Sequence, residues 1–574
     1  MNLFKVKPLA RIVAESEQVG EHALKRTLGP VQLVALGIGA IIGAGLFSLT
    51  GIAAAENAGP AVVLSFLLAA TGCAFAGMCY SEFSTMIPIA GSAYTYAYAT
   101  MGELLAWIIG WDLVLEYAVG ASTVAVSWSG YVVSFLKDFG IVIPPQFTAS
   151  PFEPLKLPGT DIKIEGIINL PAMFIIILIS LLLMIGIQES ARANSVIVVI
   201  KVTVVIVFIV LGWSYINPKN YEPFIPANTG TFGEFGWSGI VRAAGVVFFA
   251  FIGFDAVSTA AQEAKKPQRD MPIGIIGSLV VCTVLYVLFS HVLTGIVPYT
   301  ELRHPAPVAL AIDRTDYLWL RPAIKFAIIA GYTSVILVML LGQSRVFYSM
   351  SRDGLLPKLF SEIHPKFRTP YRSNIVFMIF GSLFAAFAPM SALGHMTSIG
   401  TLFAFVLVCI GIIIMRKTHA ELPRPFKTPL VPLVPILGII FNLGMMYGLG
   451  LENWLRLFIW LEIGLVIYFG YSRKHSLLAT PNEVIGKGTL RVLIGFLGLQ
   501  IGCVIGYLLR PSAPMVGQLP LGVVISRGAD LKGLDQLLVP IAEASFNMVV
   551  AYGIIGAIIG VGVAHFVKVK KIAR

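Results

Sequence analysis

The sequence predicts an all-α polytopic membrane protein with about fourteen spanning helices. Two observations carry that prediction. Composition comes first: 57% of residues are hydrophobic, only 12% are charged, and mean hydropathy is +0.84. Soluble chains carry about twice that share of charge. The second is the recurrence of apolar runs of about 20 residues, the thickness of a bilayer core, from Val31 to Ala564.

The runs place spans 1 to 14 at 31–55, 60–86, 102–136, 167–187, 193–216, 237–262, 273–297, 321–348, 372–390, 394–415, 430–449, 452–471, 490–510 and 546–567. Residues 1–30 form a polar N-terminal arm, 472–489 a basic linker and 568–574 a basic tail. The arm lacks the compact apolar core and small-residue cleavage site of a signal peptide. Most of the 41 Lys and Arg residues fall in alternate loops, on the side that holds the arm and the tail. The positive-inside rule therefore puts both termini in the cytoplasm, with the chain in a plasma (inner) membrane. The net charge of +11 has the same origin. Dispersed over short loops, these charges do not read as a nucleic-acid surface. Five cysteines, all in apolar runs and without ligand spacing, read as buried small hydrophobes. No metal site, cofactor motif, HExxH, nucleophile elbow or Walker loop is present, which argues against an enzyme.

Span 1 carries "GIGAIIGAGLF", with Gly37, Gly39, Gly43 and Gly45 inside nine positions. Each glycine costs a helix roughly 1 kcal/mol against alanine. The Gly39/Gly43 pair fits close helix packing. A helix unwound near the midplane, offering free N–H and C=O groups to a solute, is the other reading. Nucleotide loops are excluded by spacing. Span 6, "VVFFAFIGFDAVSTAAQEA", has a second interruption, with Gly253 two residues before Asp255. Matching breaks five spans apart suggest two inverted repeats of five, spans 1–5 over 31–216 and spans 6–10 over 237–415. Spans 11–12 (430–471) and 13–14 (490–567) are then additions.

Ionisable residues within spans cost roughly 2.5–3.5 kcal/mol and are functional candidates. Glu116, Lys201 and Asp255 meet that description, and Asp112 has a weaker claim one turn before Glu116. Lys201 reads either as a structural amine on backbone carbonyls or as a proton carrier. Glu116 and Asp255 read as packing partners or as the acidic end of a pocket. His291 and His395, near span ends, read as structural.

The strings "GIGAIIGAGLF", "FFAFIGFDAVSTAAQEAKKPQRDMPIGI", "GIQESARANSV" and "GQSRVFYSMSRDGLLP" resemble those of the amino acid–polyamine–organocation transporters. More narrowly, they resemble bacterial members of the cationic amino acid transporter family, over roughly residues 25 to 470. The resemblance implies a LeuT-type fold with spans 1 and 6 broken around an amino acid. It implies that the substrate carboxylate meets the backbone at Gly43, Ala44 and Gly45, and the ammonium meets carbonyls near Ile41, Phe249, Ala250 and Ile252. Glu116, Asp255 and Met339 would line the side-chain pocket. Lys201, with Thr333 and Ser334 as neighbours, would couple transport to protons. Ala44 departs from the Thr or Ser often found between the two glycines and keeps only its N–H. The expected activity is proton-coupled import of cationic L-amino acids such as arginine, lysine or ornithine. Broad or neutral specificity within the fold and a non-transporting sensor are the alternatives. Partners are the amino acid, protons and lipid, with an accessory membrane protein left open.

Overall fold

The computed structural model describes residues 5–8, 28–87, 92–152, 155–156, 163–164, 166–186, 191–261, 264–304, 306–317 and 320–479. Predicted spans 13 and 14, Cys503, most of the N-terminal arm and the tail lie outside them. Within them, helices occupy the positions predicted for spans 1 to 12. Among the described residues eight helical stretches are long and apolar enough to cross a membrane, and four shorter apolar helices lie among them: Pro30–Ile41, Leu170–Ile185, Tyr371–Phe387 and Leu433–Gly448. A two-stranded hairpin pairs Leu155–Lys156 with Lys163–Ile164 in the loop after span 3.

Local sequence explains where the helices begin and end. Span 1 starts at Pro30, where the missing N–H costs nothing and φ is preset. Span 4, Leu170–Ile185, is capped by the Asn169 side chain, which accepts the Ala172 N–H at 3.2 Å. It stops at Gly186, whose φ of +86° favours glycine. Side chains pointing outward from the bundle, such as Val199, Val210 and Val466, are apolar and exposed. In water such a surface would aggregate, whereas hydrocarbon accepts it. The protein is a multi-pass membrane protein.

The core forms where span 7, Pro267–Ile296, lies against spans 1 and 2, and span 8, Leu320–Arg352, against span 3. The end of the bundle where the chain enters span 1 is called here the N side, and the opposite end the far side. On the far side a short helix, Pro307–Asp313, packs over Gly51 of span 1. Lys325, almost fully buried, holds that cover by pairing with Asp138 at 2.9 Å and Asp313 at 3.3 Å. In the same loop burial lowers the pKa of His304, whose Nδ1 accepts the Ala306 N–H at 3.0 Å. On the N side the buried Glu82 carboxylate meets Arg416 at 2.7 Å and Arg424 at 3.2 Å, and accepts the Thr428 N–H at 2.8 Å. Every lone pair so engaged offsets part of the cost of burying the charges.

Candidate functional site

Spans 1 and 6 are both interrupted, and the interruptions face each other. The first helix of span 1, Pro30–Ile41, ends where Ile42 turns extended at φ −71° and ψ 106°. The chain resumes with a widened turn over Gly45–Leu49. Gly43 carries the junction, its carbonyl accepting the Leu46 and Phe47 N–H groups at 3.2 Å each. In span 6, Gly236–Val247 tightens into a 3-10 turn over Phe248–Phe251, then breaks at Ile252 and Gly253. Helix returns over Ala256–Thr259, with Asp255 at its N-cap.

The two breaks touch through glycine. A Cβ on Gly45 would lie 2.2 Å from the Ala250 Cα, and one on Gly253 would lie 2.9 Å from the Ala40 carbonyl group. A side chain at either place would force the facing main chain to shift, far more at Gly45 than at Gly253. The two readings left open for the span 1 glycines are therefore divided between positions. Gly37, whose added Cβ would sit 2.5 Å from Ser278 Oγ, and Gly45 serve close packing. Unwinding falls at Ile42 and Gly43.

Between the breaks lies a small cavity lined by Ala40, Tyr117, Ile252, Gly253, Ala256, Val335, Val338 and Met339. Met339 and Ile252 were expected there. The others were not, because Tyr117 and the two valines have no signature apart from their place in an apolar run. Gly43, Ala44, Ile41, Phe249 and Ala250 are all buried around the same junction. The Ala250 carbonyl, an expected acceptor for an ammonium, already takes the Tyr286 hydroxyl at 2.9 Å. That leaves it one lone pair. The far half of span 1 is held by hydroxyls: Tyr131 donates to the Phe47 carbonyl at 2.6 Å, and Ser48 meets Tyr332 at 3.0 Å.

Glu116 sits on a π-type turn, Leu115–Val119, that interrupts span 3. Such turns re-aim side chains and recur at functional sites. Its carboxylate is buried beside Asp255 and Thr401. Neither oxygen has a hydrogen-bond partner among the described residues, and the same holds for Asp112. Asp255 is also buried and accepts the Tyr117 hydroxyl at 3.3 Å. The structure thus joins Glu116 of span 3 and Asp255 of span 6, immediately behind the cavity-lining Tyr117.

Lys201 is buried in span 5 and donates to the Gly39 carbonyl at 2.8 Å, in the last turn before the span 1 break. Its stem crosses Gly331 of span 8, where an added Cβ would meet Lys201 Cε at 3.0 Å. One side chain therefore ties spans 1, 5 and 8. Of its two expected neighbours, Ser334 bonds the Gly331 carbonyl, on the turn that Lys201 crosses. Thr333 instead accepts Trp128 Nε1 at 3.0 Å and donates to the Ile329 carbonyl. One residue along a helix turns the side chain by about 100°, so Thr333 serves the span 3–span 8 contact. Among the described residues no group of three His, Cys, Asp or Glu could hold a metal ion.

A polytopic bundle enclosing a cavity between two broken helices defines a membrane permease rather than an enzyme. Comparison with known proteins gives the family: residues 28–468 match the model of the amino acid permease family. The branched-chain amino acid permease BcaP of Bacillus subtilis is 46% identical over 83% of this chain and 99% of its own length. The methylthioribose transporter of the same organism is 44% identical over the same shares. The vacuolar cationic amino acid transporter 4 of Arabidopsis thaliana is 36% identical over 69% of this chain and 64% of its own length. The chain belongs to the amino acid permease family, within the amino acid–polyamine–organocation transporters, and is a transporter.

Proposed function

We propose that the protein is a proton-coupled amino-acid transporter of the plasma membrane, working by alternating access on a LeuT-type five-plus-five inverted repeat. Its N side is the cytoplasmic side, and both termini lie there. The substrate carboxylate binds the N–H groups that open the far half of span 1, at Gly43 and Ala44, where the helix dipole favours an anion. Gly45 contributes by letting spans 1 and 6 close together. The ammonium group binds carbonyls at Ile41, Phe249 and Ile252. Lys201, protonated, holds the Gly39 carbonyl by a charge-assisted bond, which is about twice as strong as a neutral one. Loss of that proton to the cytoplasm loosens span 1 from spans 5 and 8 and permits N-side opening.

One observation bears most on the substrate's side chain: every residue lining the cavity is uncharged, and Ile252, Val335, Val338 and Met339 are apolar. This supports a neutral amino acid with a branched or otherwise apolar side chain, in line with the name of one relative. A second reading, a cationic substrate, is favoured by Glu116, whose buried oxygens have no hydrogen-bond partner among the described residues. In it a lysine or arginine side chain displaces Tyr117 and reaches Glu116 and Asp255.

Purified protein in liposomes, given labelled leucine, valine, alanine, arginine, lysine and methylthioribose with and without an inward proton gradient, separates these readings. Gradient-stimulated uptake of leucine and valine above arginine supports the first. Arginine uptake that Glu116→Gln weakens far more than alanine uptake supports the second. Uptake indifferent to the gradient removes the proton, and uptake of methylthioribose alone removes the amino acid.

A further inference from the structure

Glu116 and Tyr117 are consecutive in span 3, and both sit on the π-type turn Leu115–Val119. Their side chains nevertheless meet different surroundings. Tyr117 lines the cavity between the two breaks, together with Ile252, Gly253, Val338 and Met339. Glu116 stands outside that lining, beside Asp255 and Thr401, and is 1% exposed. The buried Tyr80, whose ring packs on Phe254 with centroids 5.7 Å apart, lies near the same two carboxylates. Tyr117 therefore stands where an uncharged cavity meets a buried acidic set.

Behind the ring, hydrogen-bonding capacity is unspent. Neither Glu116 oxygen has a partner among the described residues, and the same holds for the Tyr80 hydroxyl and Ser258 Oγ, one turn after Asp255. Most buried polar side chains are paired, so oxygens in this condition suit an entering donor. An ammonium or guanidinium group, which only donates, matches a carboxylate best. Tyr117 closes the way. Its hydroxyl donates to Asp255 at 3.3 Å, and its ring edge lies against span 8 at Gly342. A Cβ added to Gly342 would stand 3.3 Å from Tyr117 Cε1 and 3.4 Å from Cδ1, so that glycine gives the ring its seat. Hydroxyl-to-oxygen bonds usually span about 2.5–3.0 Å. The longer bond to Asp255 is a light restraint, which an entering group can break.

We propose that Tyr117 determines specificity: its ring is a partition between the apolar cavity and the Glu116–Asp255 acids, admitting apolar side chains when seated and a cationic one only when displaced. The proposal rests on the reading that the cavity binds an amino acid, and it holds for either substrate class. For a neutral substrate the seated ring completes an uncharged wall. For lysine or arginine the ring has to move first, and that cost falls on the cation alone. Removing the ring takes a wall from leucine and an obstacle from arginine. Preference therefore moves toward the cation, whichever amino acid the intact chain favours.

The test uses purified full-length protein, with affinities for leucine and arginine read from the concentration dependence of its melting temperature. Tyr117→Leu keeps the turn packed but withdraws the ring, and should shift the affinity ratio at least about tenfold toward arginine. Tyr117→Phe loses a single hydroxyl at nearly constant volume, so it does not depend on repacking. Freed from Asp255, its ring should move the ratio about threefold in the same direction. An unchanged ratio in either folded variant overturns the proposal. Adding Glu116→Gln to Tyr117→Leu should return the ratio toward that of the intact chain. A gain that survives this addition also overturns the proposal, since the acids would not be what the ring conceals. The intact chain's own preference tests the proposed substrate, whereas the change on substitution tests the partition. Intact protein stabilised by neither amino acid refutes the proposed function, and arginine that then stabilises Tyr117→Leu still upholds the partition. Stabilisation of no variant by either amino acid overturns both.

Discussion

The breaks in spans 1 and 6 face each other and are made by different means. In span 1 the turn at Ile42 uses ordinary backbone angles that any residue adopts. Its glycines matter for space, since Gly45 lies against the Ala250 main chain. In span 6 the turn itself needs glycine, because Gly253 sits at φ +112°. A non-glycine residue there incurs strain of about 1–3 kcal/mol before any contact is counted. Span 1 is thus a helix opened by its surroundings, held by Lys201, Tyr131 and Tyr332, whereas span 6 has the opening written into one residue.

Substitution at Gly45 gives the largest expected effect. Gly45→Val places side-chain atoms where the Ala250 backbone already is, and a main chain flanked by buried residues cannot retreat cheaply. Overpacking of this kind costs about 1–3 kcal/mol where a flexible side chain can give way, and more where it cannot. Folded, monodisperse protein should be lost in size-exclusion chromatography. Recovery of wild-type levels would show that spans 1 and 6 are not in contact there. Gly253→Ala should be milder: folded protein with a lowered melting temperature, and transport reduced with it. If Gly253→Ala were neutral in both assays, the positive φ would not be a feature of the folded state.

Lys201→Met comes next and sharpens the claim that span 1 is held from outside. The substitution keeps most of the stem over Gly331 and removes the donor to the Gly39 carbonyl, an interaction worth about 1.5–3 kcal/mol for a charged donor. Uptake driven by a proton gradient should disappear, while substrate binding, followed by ligand-dependent thermal stabilisation, should persist. Gradient-driven uptake at the wild-type rate would leave Lys201 a structural amine and nothing more.

Much of this was legible in the sequence, for identifiable reasons. Span positions follow from apolar runs, and the interruption before Asp255 follows from a glycine beside an ionisable residue. Lys201 was visible as a cation in a run of β-branched residues. The cavity wall was not legible, since Tyr117, Val335 and Val338 are ordinary members of apolar runs until the fold brings spans 3 and 8 beside the breaks. Nor was the π-type turn at Glu116, which one extra residue in a helix creates without a compositional mark. The division of labour among the span 1 glycines was hidden as well, because only the neighbour's distance separates a packing glycine from a hinge.

Gly43→Ala is the smallest expected change in stability and the most informative about the comparison. A Cβ on Gly43 would meet Val335 Cγ2 at 3.4 Å and the Ile41 carbonyl oxygen at 4.0 Å, both ordinary contacts. Its φ is not in the left-handed region, so alanine adopts the same backbone. Melting temperature should therefore stay at the wild-type value. The added methyl nevertheless stands at the junction where the N–H groups are proposed to receive a carboxylate, so KM for the preferred amino acid should rise by about tenfold, equivalent to about 1.4 kcal/mol. A fall in stability without a change in KM would turn the comparison around, making span 1 a strained hinge like span 6 and moving the carboxylate site away from Gly43.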